Sequence, residues 1–189
     1  MKYFTFELLC AANDWIEQSE EERLAAEQRF ELASQDYIRE LDGLRSRISQ
    51  PAWDFFRYGG NETGIHDATL LSATAGDGLN YAADGSSPFL INRGKLAARI
   101  EFLNFEQDRH YTFDLRAVSQ YKADLFVEEW RAAKTVGDLY LCELTAVSDA
   151  ELQLGFLFAS GASIVTRFKR LVFKRRRIAR KYETGERYG

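Results

Sequence analysis

The stretch GIHDATLLSATAGDGL, Gly64–Leu79, is where the spacing of apolar residues changes from helical to strand-like. Upstream of it apolar residues recur at every third or fourth position, and downstream at every second. Side chains repeat every 3.6 residues around a helix and alternate along a strand, so this change of period divides the chain into a helical part and a sheet part.

Upstream lies SEEERLAAEQRFELASQDYIRELDGLRSRI, Ser19–Ile48. Ser19 followed by Glu22 is a capping box, and Glu20, Glu21 and Glu22 place negative charge at the positive end of the helix dipole. Phe30, Ala33, Tyr37, Leu41, Leu44 and Ile48 share one helical face, while Glu27, Glu31, Arg39 and Glu40 share the opposite, solvated one. Pro51 stops the run. A shorter helix is predicted over Thr5–Gln18, burying Phe6, Leu9, Cys10 and either Trp15 or Ile16. PAWDFFRYGG, Pro51–Gly60, predicts a further helical turn or two closed by Gly59 and Gly60.

Downstream, Ala68–Thr74 reads as a strand, AGDG at 75–78 as a hairpin turn into Leu79–Ala83, and ADGSSP at 83–88 as a loop. Leu96, Ala98, Ile100 and Phe102 alternate with Ala97, Arg99 and Glu101. After a turn at Gln107 and Asp108, Tyr111, Phe113 and Leu115 alternate with Thr112, Asp114 and Arg116. Residues 118–136 fit a strand or a short helix. DLYLCEL at 138–144 is a strand. Leu152, Leu154, Phe156 and Phe158 mark another, ASGAS at 159–163 turns the chain, and Ile164–Phe173 is the last strand. Within it Ile164, Thr166 and Phe168 share one parity and Leu171 and Phe173 the other, a slip that predicts a bulge. Helices followed by antiparallel strands give an α+β fold: a curved antiparallel sheet of about six to eight strands with the long amphipathic helix on its apolar face. Residues 1–173 are expected as one domain and residues 174–189 as a basic C-terminal tail.

Composition supports a real core, with 46% hydrophobic and 14% aromatic residues in 189. No apolar run is long enough to span a bilayer, and the start MKYFTFELLC lacks the pattern of a signal peptide, so a cytoplasmic protein without membrane contact is expected. Cys10 and Cys142 do not make a disulfide framework. The net charge of −4 conceals a division. Residues 1–166 carry 15 Lys and Arg against 27 Asp and Glu, whereas residues 167–189 carry 10 against 2. The basic charge sits in RFKRLVFKRRRIARK, Arg167–Lys181, which contains no acid. Such a division signals an acidic partner, or a tail that folds back on the acidic face of its own chain.

The start MKYFT, the long acidic helix, the HDA at 66–68 and the closing GFLFASG…FKRL together resemble a family of bacterial proteins, a domain of unknown function. The resemblance implies a bacterial α+β protein and carries over no catalytic residue. The basic run at 174–181 lies outside that pattern.

His66 beside Asp67 suits a general base or half of a metal site. The competing reading is structural: the pair stands where a strand begins, where adjacent side chains diverge and turn residues tie the loop down. A metal site would need His66, Asp67, His110 and Glu106 to converge through strand pairing. Cys142 lies next to Glu143, which raises rather than lowers a thiol pKa, and Cys10 lies among apolar residues, so both read as packing. The phosphate-cradling glycine patterns are absent, and no cofactor is expected. Arg170, Lys174, Arg175, Arg176, Arg177 and Arg180 are candidate anion or partner contacts, with Phe168, Phe173 and Tyr182 interleaved. The acidity of the remaining chain disfavours nucleic acid. The expected function is a non-enzymatic binding protein that docks a protein partner, such as an immunity-type protein that neutralises a toxin. The alternatives are a hydrolase or metal-dependent enzyme centred on His66 and Asp67, and weak nucleic-acid binding through Arg167–Lys181.

Overall fold

A computed structural model describes residues 1–13, 15–59, 65–77, 79–81, 88–90, 96–125 and 137–178. Helices come first: α1 Phe6–Ala12, α2 Glu20–Gly43 and α3 Gln50–Asp54, the last running into a π-helical turn, Phe55–Gly59. The strands are β1 Thr69–Asp77, β2 Leu79–Tyr81, β3 Pro88–Leu90, β4 Leu96–Leu103, β5 Arg109–Arg116, β6 Gln120–Asp124, β7 Leu139–Ser148, β8 Glu151–Phe158, β9 Ser163–Phe168 and β10 Arg170–Arg177. The α+β class with antiparallel strands is as the periodicity predicts. The strands are shared between two four-stranded sheets, β1-β4-β5-β10 and β6-β9-β8-β7, with β2 and β3 paired separately.

The two sheets are not independent. β5 pairs with β10 and β6 pairs with β9, so residues 109–124 and 163–177 form one bent ribbon that belongs to both. The bend lies where Ser119 N–H donates to Arg167 O (2.9 Å) and Lys169 N–H donates to Arg116 O (3.1 Å). Ala117 adopts φ +52° there, the left-handed region that a Cβ disfavours. The parity slip after Phe168 is therefore the hand-over from one sheet to the other, not a bulge within one strand. At the opposite corner Ala68 bridges Leu139, joining the start of β1 to β7.

Between the sheets the inward residues of β4 and β5 meet those of β8. Phe102 and Phe113 stand 4.9 and 5.2 Å from Phe156, ring centre to ring centre. The outer face of the second sheet is covered too at β7 and β8. Met1 lies over Gly155, where an added Cβ would come within 2.7 Å of its Cγ, and Tyr37, Leu41 and Leu44 join the same core.

Several boundaries differ from the periodicity, for physical reasons. The capping box at Ser19 and Glu22 is formed, but α2 ends at Gly43, and Leu44 and Ile48 reach the core from the irregular turns that follow. α1 stops at Ala12, which leaves Trp15 and Ile16 about half exposed instead of buried (48% and 47%). The AGDG stretch is not a hairpin turn over Ala75–Asp77: these residues pair with Ala98, Ala97 and Leu96, and Gly78 lies outside the described residues. Of the ambiguous 118–136, Gln120–Asp124 is a strand and 126–136 lies outside the described residues. β10 carries the sheet past the expected boundary at Phe173 to Arg177, because the ladder to β5 continues to Arg109. Residues 179–189 lie outside the described part. Among the described residues no helix is long and apolar enough to cross a membrane.

Candidate functional site

His66 and Asp67 sit in the turn before β1, not on the strand, so the argument from diverging side chains does not hold. Asp67 takes φ +61°, which brings its Oδ1 to 2.9 Å from His66 Nδ1. The imidazole rests edge-on against Tyr140, 4.9 Å between centres, and Tyr140 in turn meets Trp15 at 4.9 Å. Burial, then the charge of Asp67, pushes the Tyr140 hydroxyl pKa up. The junction itself is fastened by main chain: Asp67 N–H donates to Leu139 O (2.8 Å), Leu139 N–H to Ala68 O (2.9 Å) and Ala68 N–H to Ile65 O (3.0 Å).

His110 does not join them. It lies on the outer face of β5, with Nε2 3.5 Å from Glu101 Oε1, while Glu101 Oε2 accepts from the Ser72 hydroxyl (2.7 Å). Its register partner on β4 is Leu103, and Leu103 is in turn paired with Thr69 of β1, so one strand separates His110 from β1. The metal set of His66, Asp67, His110 and Glu106 is thus not assembled, and among the described residues no three His, Cys, Asp or Glu side chains group as metal ligands would. The same outer face carries a second ion-pair group. Arg99 donates to both carboxylate oxygens of Asp114 (2.5 and 3.0 Å), and Lys174 Nζ stands 3.8 Å from Asp114 Oδ2. The cysteines are buried and free. Burial, reinforced by Glu143, pushes the Cys142 thiol up to about 12, which removes it as a nucleophile near neutral pH.

The basic run presents a different surface. β10 is the edge strand of its sheet, paired on one side with β5. Ile178 N–H donates to Asp108 O (2.8 Å), and ladder alternation then turns the main-chain groups of Arg176 and Lys174 toward β5. Those of Phe173, Arg175 and Arg177 turn to the open side. Among the described residues the guanidinium groups of Arg170, Arg175, Arg176 and Arg177 form no ion pair; Arg180 lies outside them.

Along this edge runs an open cleft of about 710 Å³. One wall is Pro51, Asp54, Phe55 and Tyr58; the other is Phe173, Lys174 and Arg175. Three successive strand residues cannot all face one side. A cleft that touches all three must follow the edge of the strand, where the main chain is open. The facing wall is built locally. Pro51 sits in the first turn of α3, and the π-helical turn alters the phase so that Phe55 and Phe56 are both buried and Tyr58 is left outside. Phe55 packs on Phe173 at 4.6 Å, and Tyr58 is held between Trp53 (5.6 Å) and the Arg57 guanidinium (5.1 Å).

Sequence reasoning found the cations of this site but not the aromatic wall. PAWDFFRYGG is remote in sequence from Arg170–Arg177, and only the packing of α3 on β10 joins them. No family model, no curated protein and no solved structure matches this chain.

Proposed function

We propose that this protein is a non-enzymatic binding module that recognises an anionic partner along β10 and the adjoining cleft. The observation that carries this reading is the set of guanidinium groups on one open strand edge, without an ion pair among the described residues, beside an aromatic-walled cleft. Unpaired arginines in this density repel one another, and a carboxylate- or phosphate-bearing partner relieves that repulsion with charge-assisted hydrogen bonds. Apolar surface at Tyr58 and Phe173 supplies contact area that does not depend on salt. A protein partner fits better than nucleic acid, because residues 1–166 are strongly acidic and repel a polyanion outside this strip. An immunity-type role against a toxin is one form this module could take.

The test is paired capture from host lysate, with the wild type beside an Arg175→Glu, Arg176→Glu, Arg177→Glu variant and identification of bound proteins by mass spectrometry. The expected result is a defined partner held by the wild type, weakened by salt and absent from the variant. Identical sets on both would overturn the reading.

The contact between His66 and Asp67 favours a second reading, in which the pair acts as an exposed general base for hydrolysis. A panel of ester and phosphoester substrates with the wild type and His66→Ala decides it. Turnover that is absent, or unchanged in the variant, ends this alternative.

A further inference from the structure

Building on the anion-binding reading, we infer that β10 takes an extended acidic segment of a protein partner as an added strand. The inference rests on three features of one place. The cleft follows an edge, since Phe173, Lys174 and Arg175 line it in succession. The main-chain groups of Phe173, Arg175 and Arg177 are turned to that side and find no partner among the described residues. Edge strands in native proteins are usually blunted against pairing by lysine or arginine, which deters a second copy of the same edge. The same cations attract a strand of opposite charge, so the device that blocks self-pairing selects an acidic partner.

The geometry sets a pattern for the ligand. Side chains of an added strand alternate between two faces. On one face they would meet Lys174 and Arg176, which favours Asp or Glu. On the other they would lie over Phe55, Tyr58 and Phe173, which favours an aromatic or large aliphatic residue, with a flanking acid for Arg175. Main-chain hydrogen bonds supply affinity in this mode, and the alternate side chains supply specificity.

The probe is a synthetic ten-residue peptide with alternating Glu and apolar residues and a central Phe, compared with the same peptide N-methylated at alternate amides. Binding is read by fluorescence anisotropy, and amide exchange of Phe173 and Arg175 by NMR. The expected result is binding that weakens about tenfold or more on N-methylation, in the Arg175→Glu, Arg176→Glu, Arg177→Glu variant and in Tyr58→Ala, with slowed exchange of those two amides in the complex. Tyr58 is exposed, so its replacement leaves the core intact and separates lost binding from lost folding. Charge-dependent binding that ignores N-methylation and leaves the two amides unprotected overturns strand addition while the anion-binding reading stands. A peptide that binds wild type and the triple variant alike overturns both. Tighter binding of a single-stranded oligonucleotide of equal charge overturns the peptide in favour of nucleic acid.

Discussion

β7 and β10 each form an edge of a four-stranded sheet, and the chain finishes the two edges in opposite ways. The outward amides of β7 are taken up by the rest of the fold. Leu144 N–H donates to the Tyr37 hydroxyl (3.2 Å), Ala146 N–H to Glu40 Oε1 (2.8 Å) and Leu139 N–H to Ala68 O (2.9 Å). Buried Glu143 accepts the amides of Lys2, Tyr3 and Phe4 at 2.6, 2.8 and 3.1 Å. Among the described residues β10 has no such cover for its outward main-chain groups at Phe173, Arg175 and Arg177, and it carries cations there. Satisfying an edge contributes to the stability of a domain; leaving one open and charged contributes little and keeps it available.

That contrast can be broken most severely at Glu143. Replacing it with alanine strands three amides without an acceptor, and urea unfolding should show a loss of about 2–4 kcal/mol. A loss below about 1 kcal/mol would mean that Glu143 is not what anchors the N-terminal segment on β7. Tyr37→Phe removes only the acceptor for Leu144 and should cost about 1–2 kcal/mol, with faster exchange of the Leu144 amide as the local readout.

Glu40 sharpens the comparison through pH. Burial pushes its carboxyl up, but hydrogen bonds from Lys2, Tyr3 and the Ala146 amide outweigh burial and hold it below its ordinary value. A lowered carboxylate stabilises fully above the unfolded-state pKa and loses that contribution as pH falls through the folded one. Glu40→Gln should therefore cost about 1 kcal/mol at neutral pH, and melts of the two proteins should converge in acid. A gap that persists at low pH would show that shape, not charge, matters there. The smallest effect is expected at β10, where Arg175→Glu, Arg176→Glu, Arg177→Glu should leave stability within about 0.5 kcal/mol, since these side chains have no ion-pair partner among the described residues. A larger loss would mean that β10 is finished by its own chain after all.

What the sequence discloses follows the range of each interaction. The cap at Ser19 and Glu22 and the alternation of Ile100, Phe102, Tyr111 and Phe113 are local, and they read correctly. Glu40 reads as solvent-facing by helical phase, yet it turns to Lys2, Tyr3 and β7, which are distant in sequence. The outer-face group of Ser72, Glu101 and His110 was hidden for the same reason: alternation places each side chain, but only register brings them together. The slip at Phe168 and Leu171 was visible, and its meaning was not, because a bulge and a change of sheet leave the same trace in parity. The cleft needed both halves of the chain.

The ribbon shared by the two sheets has a consequence for how the molecule comes apart. Residues 109–124 and 163–177 hold rungs in both ladders, so neither sheet can melt without stripping strands from the other. Unfolding should be one cooperative event, and no cut between the sheets would yield a half able to fold alone. A partner that clamps β10 would then slow the opening of β6 and β9 as well, although it touches neither.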